Sequence, residues 1–230
     1  MRRALPTLFT LSALALAGCG SGEDEAATDP ATAEAGAGAL SCEEPPALPS
    51  APAGYAAEDL PEPVSGDPAT LDATLTTSCG DIELELYAQD APQTVASFAF
   101  LAQEGYWEDS RCHRLTTGGI FVLQCGDPTG SGSGSPGYGY GIENAPETGM
   151  YPAGTLAMAR TADPESNGGQ FFVVYEETML PTDGGGYSIF GQVTEGLDIV
   201  QALAEEGTEG GGSDGAPAQP VSILSVDVDS

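Results

Sequence analysis

A mostly-β domain, an antiparallel barrel or sandwich, is predicted from three observations. Short runs with period-two alternation recur along the chain, and they are separated by Gly-rich turns. Only two segments carry helical spacing. Strands and helices do not alternate, so nothing supports a doubly wound parallel sheet, and no repeat of 20 to 50 residues is visible.

The domain is expected over residues 69–230. It opens with LDATLTTSCGDIELELY, read as two strands about a turn at Cys79, Gly80 and Asp81, with Ile82, Leu84 and Leu86 facing inward between acidic neighbours. APQTVASFAFLAQEGY follows as a helix. Pro92 suits its first turn, Val95, Phe98 and Leu101 share a face, and Gly105 ends it. CHRL and IFVLQ are two strands joined by a turn at TTGG, and residues 127–141 form a Gly/Ser/Pro/Tyr loop. TLAMA, QFFVVY and YSIFGQV read as further strands. EGLDIVQALAEEG is a second helix with Leu197, Val200 and Leu203 on one face, and VSILSVDV closes the domain. Phe171 and Phe172 are adjacent on a strand and so face opposite ways.

Two segments precede this domain. Residues 1–19 carry Arg2 and Arg3, then an apolar run too short to span a bilayer comfortably, which reads as an export signal. It ends Leu16-Ala17-Gly18-Cys19, similar to a bacterial lipobox, in which Cys19 would be lipidated and become the mature N-terminus. An ordinary signal peptide with an incidental cysteine is the alternative. Residues 20–68, rich in Ala, Pro, Gly and acids, read as a disordered tether, with a short apolar patch near Cys42 able to dock if that cysteine is bridged. The expected location is extracytoplasmic, held to the bacterial cell membrane through lipid alone.

The formal charge of the 230-residue chain is −30, its five cations are all arginines, and only Arg111, Arg114 and Arg160 lie outside the first three residues. Such a surface repels nucleic acid and anionic lipid. It suits either a well-solvated protein or one adapted to high external salt, where screening relieves self-repulsion. Cys42, Cys79, Cys112 and Cys125 remain once Cys19 is set aside, and four thiols in an exported protein suggest two disulfides in any of three pairings. Without a CxxC, zinc and thioredoxin-like chemistry have little support. Gly132 to Gly137 spells GxGxxG, but no helix follows. No phosphate loop is possible without lysine, and His113, the single histidine, has no GxSxG partner. No metal or cofactor is expected.

CHRLTTGGIFVLQCGDP, TLAMAR, NGGQFFVVY and LPTDGGGYSIFGQV occur in that order. Together they resemble the cyclophilin-type peptidyl-prolyl isomerases over residues 70–228. The resemblance implies an eight-stranded antiparallel β-barrel capped by two α-helices, and isomerisation of X-Pro bonds in exported proteins. It carries the family's catalytic arginine onto Arg114 and its glutamine onto Gln124. It places Phe121, Val122, Ala159, Arg160, Gln170, Phe172, Leu180 and Tyr187 at the bound peptide, with Arg160 acting mainly through its backbone. An ion pair of purely structural purpose is the alternative for Arg114. Cys112 stands where the family has phenylalanine, Met179 where some relatives have tryptophan, and the hairpin looks two residues longer. Trp107 and Arg111 are expected in packing and on the surface. Gln124 should pair opposite Arg114. Cys112–Cys125 is then the preferred bridge, being close in sequence at one hairpin end, although it requires a bulge or local twist, and Cys42–Cys79 would tie the tether to the first hairpin. The implied partners are proline-containing segments of exported proteins, bound by a monomer. A non-catalytic proline-segment chaperone and a cell-surface interaction module are the competing readings.

Overall fold

A computed structural model describes residues 40–229. The export signal, Cys19 and the first half of the expected tether lie outside the described residues. Among those described, no helix is long and apolar enough to cross a membrane.

Among the described residues, the domain has twelve strands and two α-helices. Strands β1 (Leu71–Thr77) and β2 (Gly80–Leu86) form the first hairpin, with Leu75 opposite Ile82 and the inward residues Ala73, Leu75, Ile82, Leu84 and Leu86 all buried. Helix α1 (Pro92–Gln103) starts on its proline, and its Val95, Phe98 and Leu101 are buried. Its first N–H groups are capped from a distance. The Glu143 carboxylate accepts from the backbone of Gln93 (3.0 Å) and Thr94 (2.8 Å) and from the Thr94 hydroxyl (2.7 Å), which places a negative charge where the helix dipole favours it.

After α1 come β3 (Ser110–Arg111), β4 (Arg114–Gly118) and β5 (Ile120–Cys125), then β6 (Met150–Tyr151), β7 (Thr155–Met158), β8 (Phe171–Val174), β9 (Thr178–Met179) and β10 (Ile189–Glu195). Helix α2 (Leu197–Glu206) stops at Gly207 and buries Val200 and Leu203. Strands β11 (Asp214–Gly215) and β12 (Ser222–Val228) end the chain. β6 and β9 pair apart from the main sheet, whose order is β11-β4-β5-β8-β7-β10-β2-β1-β12-β3.

The curled sheet returns on itself. Residues 110–118 are one stretch of chain, interrupted at Cys112 and His113. One flank of it pairs with β12 through β3 and with β11 through β4, and the other flank pairs with β5. Counted as a single strand, it completes the eight positions expected; β11 is an addition. Inside lies an aromatic core in which Phe98 meets Trp107 at 4.7 Å, Phe190 at 5.2 Å and Phe171 at 5.7 Å between ring centroids. Trp107 is buried and its indole N–H donates to the Gly169 carbonyl at 2.9 Å, a packing role as expected.

The tether expectation fails for residues 40–68. This segment is a strap packed on the domain. Cys42 is bonded to Cys79, and the Glu43 N–H donates to the Ser78 carbonyl at 2.7 Å. Tyr55 packs among Phe100, Tyr106 and Tyr138, and Leu60 and Val64 also rest against the core. Apolar residues are sparse in the strap, but a covalent anchor at one end lowers the entropy that each must overcome.

Candidate active site

Four strands set the site by register. Arg114 lies opposite Gln124, Gln124 opposite Phe172, and Phe172 opposite Ala157, so one row crosses β4, β5, β8 and β7. Side chains alternate along a strand, so Val122 and Ile120 share the face of Gln124. Leu115, Leu123, Phe171 and Val173 point the other way, into the barrel core. The outward face therefore gathers a second apolar cluster of Val122, Tyr151, Ala157, Phe172, Val174 and Leu180, bordered by Ile120, Ala159, Tyr187 and Ile189. Above it opens a recess of about 460 Å³, with Ile120, Val122, Phe172 and Tyr187 below and Arg114 and Gln124 beside them. Leu180 stiffens the cluster from beneath and does not line this recess.

Phe121 departs from expectation. It has the parity of Leu123 and packs edge-on against Tyr175, at 6.0 Å, in the barrel core cluster. Ile120 takes the place in the recess intended for it, and strand alternation counted back from Gln124 is the signal that could have found it.

The polar side of the site is a chain of hydrogen bonds. Arg114 Nη1 donates to Gln124 Oε1 at 3.4 Å, and Gln124 Nε2 donates to Gln170 Oε1 at 2.9 Å. Gln170 Nε2 in turn donates to the carbonyls of Gly134 (2.9 Å) and Gly132 (3.2 Å). The guanidinium is also held by Asp214, with Nε on Oδ1 at 2.8 Å and Nη2 on Oδ2 at 2.7 Å. This pair holds Arg114 above the usual arginine range against the effect of burial, and holds the Asp214 carboxyl below the usual carboxylate range. Sequence reasoning missed Asp214, which lies 100 residues away in a Gly-rich loop with no motif to mark it.

Arg160 does more than lend its backbone. Its guanidinium donates to the carbonyls of Gly186 (2.6 Å), Thr161 (2.9 Å) and Asp183 (3.1 Å) and lies 5.0 Å from the centre of the Tyr187 ring. Tyr187, edge-on to Phe172 at 5.7 Å, is thus fixed at the rim. The Ala159 N–H bonds to the Gln170 carbonyl at 2.9 Å. His113 is half-buried beside Arg114, its Nδ1 has no partner, and burial keeps its pKa below the ordinary histidine value. Cys112 is bonded to Cys125, and the stretch is interrupted as a strand at Cys112 and His113, where the bridge joins it. The bond clamps the two strands one residue past Gln124 and two before Arg114.

Asp127 organises the loop that holds Gln170. It is fully buried, and its carboxylate accepts from the Thr129 N–H (2.8 Å) and hydroxyl (2.7 Å), the Gly134 N–H (3.0 Å) and the Ser131 hydroxyl (3.2 Å). Burial alone would raise its pKa, but these donors outweigh it and bring the value from 3.8 down to about 2. A depressed folded-state pKa contributes stability that is fully present above 3.8 and is lost as pH falls through 2. The stabilisation is on the order of 2 kcal/mol. In acid unfolding, Asp127→Asn is expected to be less stable than the parent at pH 6, with the gap closing toward pH 2. A gap of equal size at both pH values would contradict this account.

A slightly larger hollow, about 560 Å³, lies between α1 and β12. Its walls carry Glu108, Asp227 and Asp229 but no arginine, so it offers no cation to an amide.

The sequence model of the family described as "Cyclophilin type peptidyl-prolyl cis-trans isomerase/CLD" matches residues 73–228. A Mycobacterium tuberculosis protein named "Probable peptidyl-prolyl cis-trans isomerase B" is 44% identical over 179 residues, which are 72% of this chain and 57% of that protein. The protein of the same name from Mycobacterium leprae is 40% identical over 207 residues, 83% of this chain and 67% of the relative. The chain thus spans little more than half the length of the Mycobacterium tuberculosis relative. Among solved structures, a Cryptosporidium parvum cyclophilin type peptidyl-prolyl cis-trans isomerase superposes with a TM-score of 0.60 at 28% identity, covering 70% of this chain and 98% of that one. The same protein solved in the presence of the dipeptide Ala-Pro gives a TM-score of 0.59 at 28% identity, covering 69% and 99%.

Proposed function

The chain belongs to the cyclophilin-type peptidyl-prolyl cis-trans isomerase family, and from that premise we propose that it accelerates the isomerisation of X-Pro bonds in exported proteins. Rotation about a peptide bond is slow because resonance stiffens the C–N link, with a barrier of about 18–20 kcal/mol. Before proline both isomers are accessible, yet they exchange only over roughly tens to hundreds of seconds. A catalyst of this rotation needs no nucleophile. It must favour the twisted amide, in which the nitrogen has recovered its lone pair, over either planar form.

The observation that carries the reading is a guanidinium fixed beside an apolar recess. The proline ring would enter among Ile120, Val122, Phe172 and Tyr187. Arg114 would donate to the amide nitrogen as it pyramidalises, and Gln124 would hold a carbonyl of the same peptide. Arginine suits the task because it stays charged at any ordinary pH and presents its donors in a rigid plane. A second hollow of about 540 Å³ shares Gln124, Gly132, Ala159 and Arg160 with the recess and would take the residues flanking the proline. The Ala-Pro dipeptide used with the Cryptosporidium parvum relative has the chemistry such a recess suits.

Export and anchoring at Cys19 are part of the same proposal. Support comes from the lipobox-like residues 16–19 and from two disulfides within the domain. The test is exchange of an X-Pro peptide between isomers, followed by NMR with and without the protein. Acceleration well above the spontaneous rate is expected. Binding without acceleration would leave a proline-segment chaperone as the better account.

A further inference from the structure

On that reading, we propose that Asp214 is a positioning residue for catalysis, orienting the Arg114 guanidinium over the recess. The loop that brings it there is well built. Beyond α2, Thr208 bridges to Pro217, the Glu209 N–H donates to the Ala216 carbonyl, and the Ala218 N–H donates to the Gly207 carbonyl, closing the loop on itself. The Thr117 N–H then binds the Ser213 carbonyl at 2.9 Å, and β11 pairs with β4 so that Asp214 stands opposite Thr116. Thr116 shares a face with Arg114, two residues earlier on the strand, so Asp214 and Arg114 are diagonal neighbours within reach of a long side chain. The next residues, Gly215 and Ala216, line the recess itself.

Stability is a poor explanation for this contact. The two side chains are 38% and 54% exposed, and exposed ion pairs contribute only about 0–1 kcal/mol. Orientation explains it better. A guanidinium has five N–H donors, of which Asp214 engages two and Gln124 one, so two remain for a substrate. With three fixed, the plane of the group cannot swing. Without the carboxylate, a single 3.4 Å bond to Gln124 would be left to hold a flexible side chain that stands at the protein surface. The donor would then have to be ordered during the reaction itself, which preorganisation avoids.

The experiment compares wild type with Asp214→Ala, Asp214→Asn and Asp214→Glu in the isomerisation assay. Asp214→Ala should lower kcat/KM on the order of 10-fold, less than the roughly 10²-fold that a 1 Å misplacement can cost, because Gln124 still holds one nitrogen. The loss should fall mainly in kcat, with KM and melting temperature close to wild type. Asp214→Glu should recover part of the rate, because it can still engage both nitrogens, and Asp214→Asn should recover less. The Arg114 Nε–H NMR signal should exchange slowly with water in wild type and rapidly in Asp214→Ala. An Asp214→Ala enzyme within twofold of wild type, or one whose loss is confined to KM, would overturn the inference while leaving the isomerase reading intact. An inactive wild type would end the isomerase reading, and this inference with it.

Discussion

Replacement of Arg114 by alanine is expected to lower kcat/KM for an X-Pro peptide by roughly 10²- to 10³-fold, which corresponds to the removal of one preorganised donor at about 2.7–4 kcal/mol. The fold should hardly register the change. Arg114 is a partly exposed side chain whose ion pair is exposed as well, and the cluster below it is built from Val122, Phe172 and their neighbours. Binding of an inert proline peptide should therefore weaken far less than turnover. Arg114→Lys is the sharper control. It keeps the charge but loses the planar fork that engages Asp214 through two nitrogens, so it should recover little of the rate. Circular dichroism and isomer exchange, measured on the same samples, check both claims. A folded Arg114→Ala protein with wild-type turnover would remove this residue from the mechanism.

Removal of the Cys42–Cys79 bond is expected to produce a large change in stability. The bond closes a loop 37 residues long. In the chain-entropy account, a crosslink of that span contributes about 4 kcal/mol, a substantial part of the roughly 5–15 kcal/mol that stabilises a typical domain. The double variant Cys42→Ser, Cys79→Ser should melt roughly 10 °C lower. The strap is the part expected to loosen, because Tyr55, Leu60 and Val64 are few to hold it unaided. Proteolysis should begin within residues 43–68, and isomerisation measured well below the melting point should persist. Unchanged melting, with the strap still protected from protease, would show that its apolar contacts suffice.

The strands and both helices were legible because their signals are local. Periodicities of two and of 3.6 place Leu84 and Val200 in the core with no knowledge of their partners. The family resemblance then located Arg114, Gln124 and Phe172, which the register does bring into one row. What escaped was long-range. Glu143 caps α1 from some 50 residues away, and Asp214 reaches Arg114 across 100. Neither carboxylate differs, as a letter in the sequence, from the other acids of so acidic a chain. The strap was misjudged because its composition suggests disorder, while its stability comes from a crosslink whose partner the sequence left open. Phe121 was a different kind of error. The resemblance placed it beside Val122 in the pocket, yet adjacent residues on a strand face opposite sides.

The way residues 110–118 serve the sheet bears on the company this protein keeps. An enzyme that grips unfolded chains risks offering them a template, since unpaired N–H and C=O groups along a sheet margin invite another strand to add on. Here β1, β2 and β10 are flanked on both sides, and β12 meets β3 at Ser222 and Ile223. The strands that end the order, β3 and β11, are two residues each. Under the proposed function, a non-native polypeptide in the groove would meet β11 rather than an open margin of β4, which would limit co-aggregation of the protein with its substrates.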